Sequence, residues 1–231
     1  GQPARRGFGG QLLRGAQQAV DEGFTGIKIK VGSTVERDLQ RLRAVRRAIG
    51  DLCAEGRLIR QQGRGTVVAP QKVPHRLVSL SGFSETMDGL GRVSRHRILE
   101  REDQVDDSGI AIRLQAASPI RFLRILEVDG RPMTLETLWF DATRFPAAVD
   151  AVAAGGSFFA ALRDTAGVKP VSAERHLEVG FANAQERNIF CISASQPVYR
   201  IEKTTFGSGG TVLGISDLVT PCHLVSFHLK T

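Results

Sequence analysis

The side chains of this chain that could do chemistry are mostly cationic. Arg57, Arg60 and Arg64 lie between Ala54 and Ala69, where two apolar runs, Leu58-Ile59 and Thr66-Val67-Val68, flank a Gln-Gln-Gly-Arg-Gly tip. That composition makes a small hairpin whose glycines accept positive φ. Its arginines would either meet phosphates or stand solvated on an ordinary surface hairpin. Upstream, Arg37, Arg41, Arg43, Arg46 and Arg47 crowd a single helical stretch, again suited to phosphates or to water. Lys28 and Lys30 alternate with Ile27, Ile29 and Val31, so both share one face of a strand. His75, His96, His176, His223 and His228 are scattered, and Cys53, Cys191 and Cys222 have no zinc spacing. Cys222-His223 with His228 reads as a strand end. No nucleophile stands beside a base in a recognisable pattern, so the expectation is binding chemistry without catalytic residues, metal or cofactor.

Composition narrows the partner. The chain has 231 residues, a net charge of +7 and an isoelectric point near 9.9, which calls for an acidic partner, most commonly nucleic acid. With 42% hydrophobic and 24% charged residues it can build one large or two small cores. No apolar run reaches membrane-spanning length and residues 1–10 carry no signal-peptide core, so a soluble cytoplasmic protein is expected.

The elements that must position these residues follow from periodicity. Gln11 to Glu22 reads as a helix stopped by Gly23, and Phe24 to Val31 as a strand, together an αβ unit. Ser33 to Leu52 reads as a second helix, capped by Ser33 or Thr34, with Leu39, Leu42, Val45, Ile49 and Leu52 as its apolar stripe. Ala69 to His75, with two prolines, reads as a linker. Strands are expected at Val93 to Arg101, Ile120 to Glu127, Met133 to Phe140, Glu174 to Phe181, Val198 to Thr205, Val212 to Val219 and Leu224 to Leu229, the last two closing one sheet. Helices are expected after Phe145, over Ser157 to Leu162 and over Ala182 to Ile189. The fold class is α+β.

Three resemblances attach to these stretches. Gly23 to Gly32, with its Lys-x-Lys pair, resembles mandelate-racemase-like members of the enolase superfamily, which would make Lys30 a base and Lys28 its helper. That resemblance ends at about residue 50, and the later acid-bearing strands that would hold Mg2+ in a barrel are missing. The bland reading of the two lysines is the solvated face of an edge strand. Ala44 to Ile49 and the hairpin resemble the end of the recognition helix and the wing of GntR-family transcription regulators, which implies DNA contacts by Arg46, Arg47, Arg60, Arg64, Gly65 and Thr66. Glu36 to Leu39 echoes that family's second helix, but only Gln40 to Arg43 separate it from Ala44, too few for the helix-turn-helix turn. Leu80 to Met87 opens a resemblance, continuing to about residue 229, to the UTRA effector domain of the HutC branch. It implies a chorismate-lyase-like antiparallel sheet with helices, a homodimer, double-stranded DNA as partner and a small anionic or polar metabolite as effector. By the same resemblance Arg124, Glu136, Ser157 and Ser81 contact that effector, while Leu126 and Val225 replace an arginine and a tyrosine common in relatives. The expected organisation is an enolase-like or divergent helical head over residues 1–43, helix end and wing over 44–69, linker over 70–76 and effector domain over 77–231.

The hairpin carries its own test. With a two-residue Asp129-Gly130 turn and a regular register, Arg124 would oppose Leu135, and Glu136 would point to the other face of the sheet. A shared site therefore requires an odd-length turn or a bulge near Gly130. The alternatives are a salt-bridged surface arginine and a solvated strand glutamate.

Overall fold

The computed structural model describes residues 34–54, 57–61, 65–69, 72–76 and 82–228, with the isolated positions 15, 18, 22 and 32. The chain divides into two compact units, Gly1–Gln71 with Cys191–Ser193, and Lys72–Phe190 with Ala194–Thr231. The expected helix and strand over residues 11–31, with Lys28 and Lys30, fall almost wholly outside the described residues, as do Arg64 and Ser81. Gly15 and Gln18 are helical, and the Glu22 N–H donates to the Gln18 carbonyl at 2.8 Å.

In the first unit, helix α1 spans Val35–Ala54. Thr34 starts it, its hydroxyl accepting from the Arg37 N–H at 3.4 Å and its carbonyl from the Asp38 N–H at 2.9 Å. Glu36 and Asp38 in the first turn suit the positive end of the helix dipole. Of the expected apolar stripe Leu52 is buried and Val45 and Ile49 are partly so, whereas Leu39 and Leu42 stay about half exposed; Ala48, outside the stripe, is buried as well. The chain then turns into strands β1 (Leu58–Gln61) and β2 (Gly65–Val68), an antiparallel hairpin in which Arg60 pairs with Thr66. Ile59 is buried beneath it, and the Arg57 N–H donates to the Leu52 carbonyl at 2.8 Å, fastening hairpin to helix.

The second unit begins with a correction. Within the stretch expected as a linker, Val73–Arg76 forms strand β3. It pairs in parallel with Val225–His228. The latter segment was expected in the main sheet and lies outside it. Pro74 is tolerated because, among the described residues, this strand pairs on one side only. Helix α2 (Phe83–Asp88) follows, starting at Gly82, with Met87 buried.

The main sheet has six antiparallel strands: β4 (Ser94–Glu102), β5 (Pro119–Val128), β6 (Arg131–Asp141), β7 (Ser172–Phe181), β8 (Pro197–Phe206) and β9 (Val212–Pro221). Their order across the sheet is β4-β5-β6-β9-β8-β7. An unexpected helix, α3 (Ser108–Leu114), starts where the Asp107 carboxylate accepts the Gly109 and Ile110 N–H groups at 2.8 and 3.1 Å. Helices α4 (Pro146–Ala153), α5 (Phe158–Ala166) and α6 (Ala184–Phe190) complete the unit with β10, the Val225–His228 strand.

One face of the sheet is covered by α4 and α5. Ile120 and Phe122 of β5 and Leu138 and Phe140 of β6 pack there against Val152, Phe158 and Leu162. Farther along the strands, Val128 and Met133 pack against Met87 of α2 and Val225 of β10. These apolar clusters seal the two ends of the same face. On the other side, Leu114 of α3 packs with Val212 and Ile215.

Candidate functional site

The site lies between the two apolar clusters, and the β5–β6 hairpin builds its floor. Asp129 and Gly130 both take positive φ, 49° and 74°, the conformation a two-residue hairpin turn needs and that glycine adopts without cost. The first pairs are regular, Val128 with Arg131 and Glu127 with Pro132, but Leu126 then pairs with Thr134. Met133 is therefore the extra residue of a bulge, held by its burial in the Met87 cluster. Beyond it Arg124 stands directly opposite Glu136 and both point to one face.

These two side chains meet as a buried ion pair. Arg124 Nε and Nη2 donate to Glu136 Oε2 at 2.8 and 2.7 Å, and each side chain is 5% exposed. Arg124 is thus no surface arginine, and Glu136 no solvated strand residue. Burial alone pushes the Glu136 carboxyl up, but the charges of Arg124 and Lys203 and a hydrogen bond from Ser216 outweigh it and hold the group at about 2. Arg124 Nη1 also reaches the Gly156 carbonyl at 3.4 Å.

His96 of β4 shares that carbonyl. Its Nδ1 lies 3.0 Å from Gly156 O, which can only accept, so Nδ1 carries the proton and Nε2 accepts from Ser84 Oγ at 3.1 Å. Burial and the nearby Arg124 charge lower the His96 pKa, against the Gly156 hydrogen bond and Glu136, which raise it. The approach needs glycine: at Gly155, with φ +82°, an added Cβ would lie 2.7 Å from His96 O. A continuous polar chain therefore runs from Ser84 of α2 through His96 and Arg124 to Glu136.

Above this floor is a small cavity of about 80 Å³. Its polar lining comprises Arg124, Glu136, His96, Ser157, Thr134, Thr220, Arg175 and Lys203, and its apolar lining includes Phe83, Met87, Phe159, Val225 and Phe227. Three formal cations face one carboxylate. Arg175 and Lys203 are cross-strand neighbours on β7 and β8, and both have lowered pKa values because they are desolvated. Lys203 Nζ sits 5.0 Å from the centroid of the Phe159 ring. Thr134 and Thr220 join their hydroxyls at 2.7 Å, which leaves that corner self-satisfied.

Of the residues expected in an effector site, Arg124, Glu136 and Ser157 line the same cavity. Ser157 is the N-cap of α5, its hydroxyl accepting from the Ala160 N–H at 3.4 Å. Leu126 and Val225 also line the cavity and make apolar the two positions at which the family resemblance implies an arginine and a tyrosine. Sequence reasoning missed Lys203, Arg175 and His96. The signal available for Lys203 was its place between Ile201 and Thr205 on one face of an alternating strand. A larger groove of about 350 Å³ lies on the opposite face of the sheet, but its arginines are engaged: Arg121 with Glu100 and Glu102, Arg200 with Glu186.

Of the residues expected at DNA, Arg46 and Arg47 are exposed on α1, and Gly65 and Thr66 are exposed at the start of β2. Arg60 lies in β1, with its side chain outside the described residues. Among the described residues no cluster of His, Cys, Asp and Glu could hold a metal, and no helix is long and apolar enough to cross a membrane.

A basic helix running into a hairpin, and a separate α+β unit with an enclosed charged cavity, define a ligand-binding regulator. The UTRA domain model matches residues 89–222 and the Enolase C-terminal domain-like model matches residues 11–57. The chain belongs to the UTRA-domain family of HutC/GntR-type transcription regulators, ligand-responsive DNA-binding proteins. It is 31% identical over 190 residues to the uncharacterized HTH-type transcriptional regulator YurK of Bacillus subtilis, covering 81% of this chain and 78% of that one. It is 25% identical over 177 residues to the probable fructoselysine utilization operon transcriptional repressor of Escherichia coli, covering 75% and 72%. In structure it resembles PhnF from Mycobacterium smegmatis with a TM-score of 0.65 at 20% identity, over 95% of this chain and 98% of that one.

Proposed function

We propose that the effector of this regulator is a small anionic metabolite, bound in the cavity between α2, α5 and the six-stranded sheet. The observation that carries this reading is the charge of the cavity: among the described residues that line it, Arg124, Arg175 and Lys203 face Glu136 as the single carboxylate. An anion entering a desolvated site with excess positive charge gains more than it would in water. The cytoplasmic protein acts as a homodimer by binding and not by catalysis. Arg46, Arg47, Arg60 and Arg64, with Gly65 and Thr66 at the wing, rest against the phosphate backbone of double-stranded DNA. Backbone contacts of this kind position a protein and supply affinity, while sequence choice needs base contacts from a recognition helix.

The test is a labelled duplex titrated with the full chain at several salt concentrations, then challenged with phosphorylated, carboxylated and neutral small metabolites. Binding should weaken steeply with salt, and at least one anion should change the affinity roughly fivefold or more while neutral compounds do not. A second reading, an effector-binding or dimerisation module that no longer reads DNA, is favoured by the few residues between Glu36 and Ala44. It expects anion binding with no salt-sensitive duplex shift. An enolase-type activity would require Mg2+-dependent proton exchange beside a carboxylate, lost in Lys30→Ala.

A further inference from the structure

An open sheet ends in two rows of unused backbone donors and acceptors, and the two edges of the main sheet are finished differently. Strand β4 is a protected edge. Its pairing with β5 is broken by a bulge between Ile98 and Glu100, and the exposed Arg95, Arg97 and Arg101 stand along it. Strand β7 has none of these devices. It runs for ten residues with neither lysine nor proline, pairs with β8 from Ser172 to Phe181 without a shift in register, and among the described residues has no strand on its other side. Two of its apolar residues, Val179 and Phe181, are 64% and 65% exposed. His176 and Glu178 lie on the opposite face of the strand, 3.0 Å apart and open to solvent.

We propose that β7 is the surface through which two copies of this chain join, each laying its β7 antiparallel to the other's across a two-fold axis at Leu177. Residues directly opposite in such a pair share a face, so only registers that keep this parity are open to it. With Leu177 opposite itself, Ala173 to Phe181 of each strand pair. His176 then faces Glu178 of the partner subunit, the same contact recurs across the axis, and small Ala173 receives the large Phe181 of the partner subunit. The neighbouring register on one side sets Glu178 against the partner's Glu178. On the other side His176 meets the partner's His176, and Glu174 meets the partner's Glu178. Of these three registers only the one centred on Leu177 joins opposite charges. An edge that is complementary to itself is what a closed two-fold interface needs, and it favours a second copy over a strand of unrelated sequence. The inference rests on the homodimer reading above and goes beyond it by naming the surface and its register.

The experiment uses the full chain and sedimentation equilibrium, in which wild type should dimerise. His176→Glu should raise the dimer dissociation constant roughly tenfold, because two attractive cross-strand pairs become repulsive, and adding Glu178→Lys should restore it. Both side chains are exposed, so neither change puts the fold at stake. Under mild oxidation Leu177→Cys should form a disulfide between chains that neither wild type nor Val179→Cys, opposite the partner's Arg175, forms. A dimer unchanged by His176→Glu, or one that Leu177→Cys crosslinks no better than wild type, overturns this surface and leaves the homodimer reading standing. Crosslinking through Val179→Cys in place of Leu177→Cys overturns the register. A monomeric wild type removes the homodimer itself, and this interface with it.

Discussion

Arg124 faces Glu136 because Met133 bulges out of the strand between them and the Asp129–Gly130 turn. One extra residue changes which face the second strand shows, and so turns two separate charges into one buried pair. The consequences of that geometry can be measured.

Glu136→Ala should destabilise the protein by ~3 to 5 kcal/mol, because it leaves Arg124 charged and buried without its partner. The double change Arg124→Met with Glu136→Leu should recover most of that loss. Urea denaturation of the three variants checks it, and a double variant as unstable as the single one would show that the pair is not what holds this face together.

Stability should fall with acid in two stages. His223, lowered by burial to about 4, is uncharged when folded, so the unfolded chain takes up the extra proton and stability drops as pH falls from 6.5 to about 4. His96, lowered in the same direction, adds to this limb. Glu136 has a depressed folded pKa, so its contribution is complete above its ordinary value of 4.5 and is lost as pH falls toward about 2. Melting temperature against pH should therefore keep its lower limb and lose part of its upper one in His223→Asn.

Gly155→Ala should cost ~2 kcal/mol or more, since it combines φ +82° with a Cβ 2.7 Å from His96 O. It should also release His96 from the neighbouring Gly156 carbonyl, and because that hydrogen bond raises the histidine pKa, its loss should lower the pKa further, as read by NMR titration. A variant with wild-type stability would mean the α4–α5 turn shifts freely away from β4.

Arg46→Gln and Arg47→Gln should each weaken duplex binding about equally for all sequences and lower the slope of log affinity against log salt by roughly 1. Both side chains are exposed on α1, so stability should not change measurably. A change in sequence preference instead would place these arginines at base edges.

Much of the architecture was legible because it is local. Alternation marked the strands of the main sheet, Asp129-Gly130 marked its central hairpin, and Thr34 and Ser157 marked helix starts through side chains that cap them. Helix α3 was missed although Asp107 is a good cap, because seven residues give too short a period to stand out. Val73–Arg76 reads as a linker in sequence because Pro74, with Pro70 just before it, hides a strand whose partner, Val225–His228, lies about 150 residues away.

By itself the sequence determined a basic α+β protein with a winged hairpin, the family it belongs to, and the side chains available to bind an anion. Only tertiary structure decided which of them share a cavity and which remain free. A bulge sets strand facing, and that depends on where Met133 finds its apolar neighbours. Hydrogen-bond commitment is equally non-local: Arg124 is taken up by Glu136 across one strand pair, and Lys203, on another, has no such partner among the described residues. Charge is written in the residue; whether it is available to a ligand is decided by what folding places beside it.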